Sequence, residues 1–388
     1  MRFPSDVPTL TDGVATIRAH RPEDAPAVLE QCLDPVSRQW TTVPLDYTRA
    51  DADRFVRDIA PGAWRTEAEL MFAVEALDTS LTTADEPDGV RRFAGTISLR
   101  DEGDDRAELA YGAHPWVRGT GVMERAVRLL LDWGFEERGL RTVVWWANRG
   151  NWSSRKLAWR VGFTVEAGLR SWLPQRGELL DAWVGTLRAG DPRRPAHAWL
   201  DAPRIVGDGV VLRAPTEADL PRVVEYAADP LTRRWLGHIP QPYGDTEARA
   251  WLDDLTERHA RGTAVTWTVA DPDTDLLLGV VNVFDLTPSG TGELGYVLHP
   301  EGRGRGLGRR AAGLALRHAV VDVEDGGLGL VAVRALAAEG NTASRRLLED
   351  LGFTHQGRER RAARVEGDTL ADAAIYDVLA SEVVKTSP

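Results

Sequence analysis

Apolar positions in the first half of the chain fall into short strand-like runs separated by amphipathic ones. Residues 14–18, 69–75, 93–99, 108–113, 142–146, 165–169 and 182–187 alternate or cluster apolar side chains as strands do. Residues 22–33, 50–59, 124–137 and 153–161 space them as helices do. Pro22 falls in a first turn, where its missing N–H costs nothing, and Gly162 follows the last helix as a stop signal. The predicted order is β-α-α-β-β-β-α-β-α-β-β. The second half repeats it. Strands are expected at 210–213, 264–270, 276–284, 293–298 and 330–335. Helices are expected after the capping pattern Thr216-x-x-Asp219 and at 246–258, 309–320 and 343–351. Between the halves, residues 190–203 contain Pro192, Pro195 and Pro203 and few large apolar side chains, the composition of a linker. Residues 384–388 are expected to fray.

The halves also match residue by residue, which makes them a duplication. Glu108-Leu109-Ala110-Tyr111 with His114-Pro115 returns as Glu293-Leu294-Gly295-Tyr296 with His299-Pro300. Arg18, Asp34-Pro35 and Trp40 return as Arg213, Asp229-Pro230 and Trp235. Asn151-x-x-Ser154 with Gly162-Phe163 returns as Asn341-x-x-Ser344 with Gly352-Phe353. The spacing changes only where one copy has the longer loop: an acidic one near 80–88 in the first, a turn near 324–329 in the second.

Between a strand and a helix, each copy carries a glycine-rich loop. The second reads Arg303-Gly304-Arg305-Gly306-Leu307-Gly308 and satisfies Arg-x-x-Gly-x-Gly in full. The first reads Arg118-Gly119-Thr120-Gly121-Val122-Met123 and lacks only the last glycine. A helix N-terminus presents free N–H groups and partial positive charge, and glycines let a diphosphate approach them. Arg303 and Arg305 are candidates for charge-assisted contacts. A Walker loop is excluded because Gly308 is followed by Arg309-Arg310, and a dinucleotide fingerprint fails because its third glycine would fall at Arg309. Met123 either crowds the diphosphate or points into the core. The second copy is therefore the better cofactor site on sequence grounds.

Composition narrows the setting. A length of 388 residues suits about two domains. Cys32 is the single cysteine, which leaves no intrachain disulfide and no cysteine metal cluster. No apolar run approaches the roughly 20 residues of a membrane span, and the first residues do not read as a signal peptide. A cytoplasmic setting is expected. A net charge of −12 argues against nucleic acid as a general partner and is compatible with a cationic acceptor. No metal is expected, and a homodimer is one assembly the sequence permits.

With these motifs in hand, both halves resemble GCN5-related N-acetyltransferases (GNAT), and most the RimJ/RimL branch that acetylates ribosomal-protein N-termini and similar amines. The resemblance covers essentially the whole chain. It implies an α/β (α+β) fold of two tandem domains, each with a mixed, mostly antiparallel central sheet flanked by helices: 1–190, a linker at 191–203, and 204–388. It implies acetyl-CoA or another acyl-CoA as cosubstrate, with the diphosphate on residues 303–308 and the pantetheine along the strand ending at Val297-Leu298. The corresponding cofactor residues of the first copy are Arg118, Gly119, Thr120, Gly121 and Val122. Asn341 and Asn151 are candidates to hydrogen-bond the pantetheine or the backbone.

Acyl transfer from a thioester needs a neutral amine, a base, an oxyanion donor and a proton for the leaving thiolate. Glu293 is the base candidate in the second copy and Glu108 in the first, acting directly or through a water; each is also readable as an ordinary strand glutamate. The oxyanion donor is expected among the amides near Val297 and Leu298. Many family members place an acidic tyrosine four residues before the glycine of Gly-Phe, where this chain has Ala158 and Leu348. Ser344 and Ser154 are the substitute candidates. Tyr376 reads better as a core aromatic, and His114 and His299 as turn residues. Trp145, Trp146, Trp152, Trp159, Trp172 and Trp183 crowd the first copy and form either an aromatic core or an acceptor pocket. The expected function is transfer of an acetyl or larger acyl group to a primary amine, of a small molecule or a peptide, by direct attack in a ternary complex. The alternatives are a non-catalytic CoA sensor or interaction module, and a resistance enzyme for an amine-bearing antibiotic. Paired domains of this kind also serve thiol biosynthesis, and no motif here selects that role.

Overall fold

A computed structural model of the protein describes residues 3–82, 85, 87–207 and 209–383. The tail expected at 384–388 lies outside the described residues, as do 83, 84 and 86 of the acidic loop. The chain divides into two compact units, Met1–Ala196 and His197–Pro388. In the first, strands β1 (Leu10–Thr11), β2 (Ala15–Arg18), β3 (Glu69–Asp78), β4 (Val90–Asp101), β5 (Arg106–Ala113), β6 (Thr142–Asn148), β7 (Thr164–Gln175) and β8 (Glu178–Arg188) form one sheet in the order β1-β2-β3-β4-β5-β6-β8-β7. Its helices are α1 (Ala25–Leu33), α2 (Pro35–Trp40), α3 (Arg49–Arg54), α4 (Ala60–Arg65), α5 (Val122–Glu136) and α6 (Trp152–Arg160). The second unit repeats this with β9 (Ile205–Gly207), β10 (Val210–Arg213), β11 (Val265–Ala270), β12 (Leu277–Phe284), β13 (Thr291–Leu298), β14 (Ala332–Ala338), β15 (Thr354–Val365) and β16 (Thr369–Leu379), in the order β15-β16-β14-β13-β12-β11-β10-β9. Its helices are α7 (Leu220–Ala228), α8 (Pro230–Trp235), α9 (Asp245–Ala260), α10 (Leu307–Val320) and α11 (Thr342–Asp350). Both sheets are mixed and mostly antiparallel, as the resemblance implied.

Each sheet is covered on both faces, and sequence spacing explains how. In α5, Val122, Met123, Ala126, Val127, Leu130 and Leu131 recur at three- and four-residue intervals and are buried against Phe72, Ile97, Leu99 and Leu109 of the sheet. Each large apolar side chain so buried contributes roughly 1.5–3 kcal/mol. On the opposite face, Val28 and Cys32 of α1 pack with Ala52, Val56 and Phe93. Residues 191–203 are not a free tether. Arg193 lies over the Phe135 ring at 4.2 Å in the first unit, and Pro203 accepts a hydrogen bond from Trp267 Nε1 at 3.0 Å in the second.

One pair in each sheet is parallel, and it is short. β5 and β6 pair only from Arg106↔Thr142 to Leu109↔Trp145. β13 and β14 pair only from Thr291↔Ala332 to Glu293↔Arg334. Beyond those points the strands diverge. β13 continues against β12 as far as Leu298↔Gly279, and β14 continues against β16 as far as Ala338↔Ala373. A wedge therefore opens between two strand edges whose backbone groups have no ladder partner.

A six-residue helix spans the wide end of each wedge. Asp34 caps α2 by accepting from Ser37 N at 2.8 Å and also pairs with Arg118, in the loop after β5. At the other end of α2, the Trp40 ring lies against Gly150, in the turn after β6; a Cβ there would come within 3.4 Å of the ring. In the second unit Asp229 caps α8 through Thr232 N at 2.8 Å and pairs with Arg303 at 2.7 Å, while Trp235 lies against Gly340. These contacts account for the repeated Asp-Pro and tryptophan positions. The helices themselves escaped the periodicity because six residues show less than two turns.

The closing hairpins are longer than the pattern predicts. β7 runs to Gln175, not to 169, and both hairpins contain a bulge around a left-handed residue, Ser171 at φ 48° and Arg361 at φ 56°. The bulge amide is satisfied by the facing strand: Ser171 N donates to Asp181 and Arg361 N to Asp372, both at 2.9 Å. These segments are polar and project beyond the core, so backbone pairing holds them and no apolar signal marks them.

The glycine that separates the two loop sequences has a packing origin. In the second unit Gly308 lies inside α10, and a Cβ there would fall 3.2 Å from Leu298 Cδ1 and 3.1 Å from Leu347 Cδ1. Leu298 also fills the space beside Gly279, 2.7 Å from where a Cβ would be. In the first unit Ala113 replaces Leu298, and Met123 Cε fills the equivalent space beside Gly95, at 2.9 Å. Leu298 with Gly308, and Ala113 with Met123, are two fillings of one volume. Met123→Gly is expected to destabilise the first unit by roughly 3–5 kcal/mol, from the cavity and the helical glycine. Adding Ala113→Leu should recover a large part of that loss in urea unfolding, a positive coupling in the double-mutant cycle.

Candidate active site

The glycine-rich loops lead directly into α5 and α10. Gly121 and Gly306 occupy the N-cap positions in left-handed conformations, at φ 83° and 69°, and neither helix start is capped by a side chain. The neighbouring helices differ: Asp229 caps α8 and Asn341 caps α11. A Cβ built on Gly119, Gly121, Gly304 or Gly306 meets nothing within 4 Å. First-turn amides therefore face open space beneath a bare glycine lip, an arrangement suited to an anionic group. Val122 and Leu307, the first helical residues, turn their side chains into the core. Met123 does the same at 8% exposure, so it leaves the cradle open, and the expected handicap of the first loop disappears. Thr120 Oγ1 donates to Val117 O at 2.7 Å and faces Val122 N at only 3.4 Å, while Arg305 at the equivalent place is exposed.

Arg118 and Arg303 are tied to the bridging helices. Arg303 Nη2 is held by Asp229, by Thr232 Oγ1 at 2.8 Å and by Leu298 O at 3.1 Å; Arg118 is held by Asp34, Ser37 Oγ and Ala113 O. Through these Nη2 contacts they bind the cradle loop to the bridging helix. Leu298 packs on α10 and gives its carbonyl to Arg303, while Val297 faces the opposite side of the sheet among α7 and α9 residues. Asn151 and Asn341 spend Oδ1 on capping, accepting from Ser154 N and Ser344 N at 3.2 Å.

Glu108 and Glu293 sit where the parallel pairing ends, but in unlike surroundings. Glu108 faces Arg100 across the ladder and pairs with it at 3.1 Å. Burial raises its carboxyl and the Arg100 charge opposes that shift. Glu293 faces Phe284. Burial, reinforced by Asp285 and only partly opposed by Arg334, lifts the Glu293 carboxyl to about 7.

A hydroxyl pair spans from the diverging strand to the following helix. Tyr296 Oη lies 2.8 Å from Ser344 Oγ, and Tyr111 Oη lies 2.8 Å from Ser154 Oγ. Burial pushes both tyrosines up to about 12, so they stay protonated at neutral pH. Sequence reasoning found the serines and missed the tyrosines as their partners; their repetition three residues after each glutamate was the available signal. Ala158 and Leu348, where a tyrosine was sought, are buried in the cores. Tyr376 is also fully buried, bonded to Glu349 and Arg345. His114 and His299 are buried beside Glu30 and Glu225. The tryptophans divide: Trp145 and Trp183 are core, Trp152 packs on Trp183 at 4.6 Å, and Trp146 stacks with the half-exposed Trp172 at 5.9 Å. Among the described residues no group of three or more His, Cys, Asp or Glu side chains is placed to hold a metal, and no helix is long and apolar enough to cross a membrane.

A wedge between parallel strands, an uncapped helix start at its mouth and a half-buried carboxyl at its apex describe an acyltransferase domain, present twice. The acetyltransferase (GNAT) domain family matches residues 15–164 and 210–354, well over half of the chain. The protein belongs to this family as a tandem pair of its domains, and it is an N-acetyltransferase. YdaF of Bacillus subtilis, provisionally named a ribosomal N-acetyltransferase, is 29% identical over 167 residues, covering 42% of this chain and 84% of YdaF. Mycothiol acetyltransferase of Thermobispora bispora is 28% identical over 317 residues, covering 72% of this chain and 92% of that protein. Among solved structures, Mycobacterium smegmatis RimJ in complex with CoA-disulfide is 18% identical with a TM-score of 0.40, covering 46% of this chain and 85% of RimJ.

The Glu293 environment has a consequence for stability. A carboxyl raised to about 7 in the fold stabilises the folded state fully below its unfolded value near 4.5, and that contribution is lost as pH rises through 7. Glu293→Gln is expected to stabilise the protein at pH about 8 relative to wild type and to give no such gain at pH about 4. Phe284→Arg, which imports the first unit's arginine, should lower the carboxyl and shrink the pH 8 gain. Urea unfolding at the two pH values measures both.

Proposed function

We propose that the protein transfers an acetyl group from acetyl-CoA to a primary amine by direct attack, with the second unit carrying the chemistry. The observation that supports this most is Glu293: a half-buried carboxyl at the apex of the wedge with no ion-pair partner among the described residues, titrating near neutrality. Acetyl-CoA, when bound, supplies the activated acyl thioester. The residues suited to hold it are the amides at the start of α10 with Gly304, Arg305, Gly306 and Leu307, and the open edge of β13 through Val297. Those edge amides are suited to stabilise negative charge on a carbonyl oxygen. Glu293 takes the proton of the incoming ammonium or amine, directly or through a water, because near its pKa a carboxylate is both populated and basic enough to act. The Tyr296–Ser344 pair holds protons on the other side of the strand and is the source for the leaving sulfur. In the first unit Glu108 is ion-paired to Arg100 and less basic, so that unit serves as a cofactor-binding or scaffolding partner. The acceptor is a small-molecule or peptide amine.

Release of free CoA in the presence of an amine panel tests the reading. kcat/KM is expected to rise with pH along a limb near Glu293's pKa of about 7. Glu293→Gln should lower kcat by about 10²–10⁴-fold, whereas Glu108→Gln should leave turnover in place. Gly306→Val should raise KM for acetyl-CoA, and Tyr296→Phe should lower kcat with little change in KM. Turnover unchanged in both Glu293→Gln and Gly306→Val would refute the site.

A further inference from the structure

The two cradles open onto grooves of opposite character. Along the outer face of α5, a groove of about 550 Å³ is lined by Asp12, Glu124, Arg125, Arg128 and Asp132. Its arginines are already neutralised: Arg125 pairs with Asp12 and Arg128 with Glu124, each at 2.9 Å. Arg193 approaches Asp132 at 3.5 Å. Along α10, the equivalent groove is smaller, about 90 Å³, and is lined by Arg309, Arg310, Gly313, Arg317 and Leu351. The duplication aligns Arg309 with Glu124 and Arg317 with Asp132, so two positions have reversed their charge. Arg309 and Arg310 form no ion pair among the described residues. Arg310 Nε is buried without a hydrogen-bond partner. Arg310 Nη2 donates to Arg305 O at 3.3 Å, which places this groove against the cradle itself.

We propose that the second unit recognises CoA by its 3′-phosphate, through Arg309 and Arg310 in the α10 groove, and that the first unit makes no such selection. This rests on the reading that the cradles take the diphosphate of CoA. One helical turn, roughly 5 Å, separates the Gly306 lip from Arg310, a span that a ribose bridges between a 5′-diphosphate and a 3′-phosphate. A phosphate monoester carries about −1.5 to −2 charges at neutral pH. In the α10 groove it meets the guanidinium groups of Arg309 and Arg310, which have no carboxylate partner among the described residues. In the α5 groove it meets Glu124 and Asp132 and must break existing ion pairs, so the same ligand gains little there.

The test compares CoA with dephospho-CoA, which differs only in lacking the 3′-phosphate, by calorimetric titration of the full chain at low and high salt. Wild type is expected to show one class of site that binds CoA about tenfold more tightly than dephospho-CoA, with the preference shrinking as salt rises. In the double variant Arg309→Glu/Arg310→Glu that preference should fall to about one, while dephospho-CoA affinity stays near the wild-type value and reports an intact cradle. Equal wild-type affinity for the two ligands overturns the arginine assignment and leaves the cradle reading standing. A preference that survives in the double variant, or an equal loss of both ligands, overturns it as well. Failure of either ligand to bind wild type overturns the cradle reading together with this proposal.

Discussion

The architecture of each unit depends on a parallel strand pair that stops pairing after a few residues. Backbone N–H and C=O groups seldom remain unpaired when buried, so strands that part must be held apart and their edges supplied with partners. α2 and α8 do the holding. Each is fixed at one end by an aspartate that both caps the helix and pairs with an arginine of the cradle loop, and at the other by a tryptophan lying on a glycine. The same arginine satisfies the last carbonyl of the diverging strand, Leu298 O in the second unit. The wedge, the cradle and the bridging helix thus form one mechanical unit, and the arginine that heads the motif is its fastener.

Duplication lets each feature be compared with its own copy. Features needed for the fold recur with equivalent partners: Arg18–Asp24 and Arg213–Asp219, Asp34–Arg118 and Asp229–Arg303, the two bulge aspartates. Packing volumes recur with exchanged residues, as Met123 with Ala113 against Gly308 with Leu298. The cradle glycines and the Tyr–Ser hydroxyl pair recur as well, whereas the charges around them diverge. Arg100 opposite Glu108 becomes Phe284 opposite Glu293, and two acidic positions of the α5 groove, Glu124 and Asp132, become arginines along α10. Conservation of fold together with divergence in electrostatics is what separates the two units.

Much of the fold was legible because its core elements are periodic. α5 and α10 present apolar stripes over three or more turns, and the central strands alternate or cluster apolar residues. Short α2 and α8 were not legible, since six residues hold too little periodicity. Nor were the outer halves of the hairpins, which are held by backbone ladders. Within the site, Glu293, Ser344 and the glycines could be named as candidates from the repeat together with the family resemblance. Their environments could not: Phe284 is distant in sequence, and its place opposite Glu293 depends on strand register.

The sequence alone determined that there are two like domains, that each places a glycine-rich loop before a helix, and which residue types stand beside it. Those are local properties, written in periodicity and repeated motifs. Tertiary structure decided what surrounds those residues. It turned Met123 into the core, gave Arg303 to Asp229, joined Tyr296 to Ser344 and left Glu293 without an ion pair among the described residues. Each outcome depends on which distant side chain arrives at the same point, and desolvation and charge pairing act only once it has.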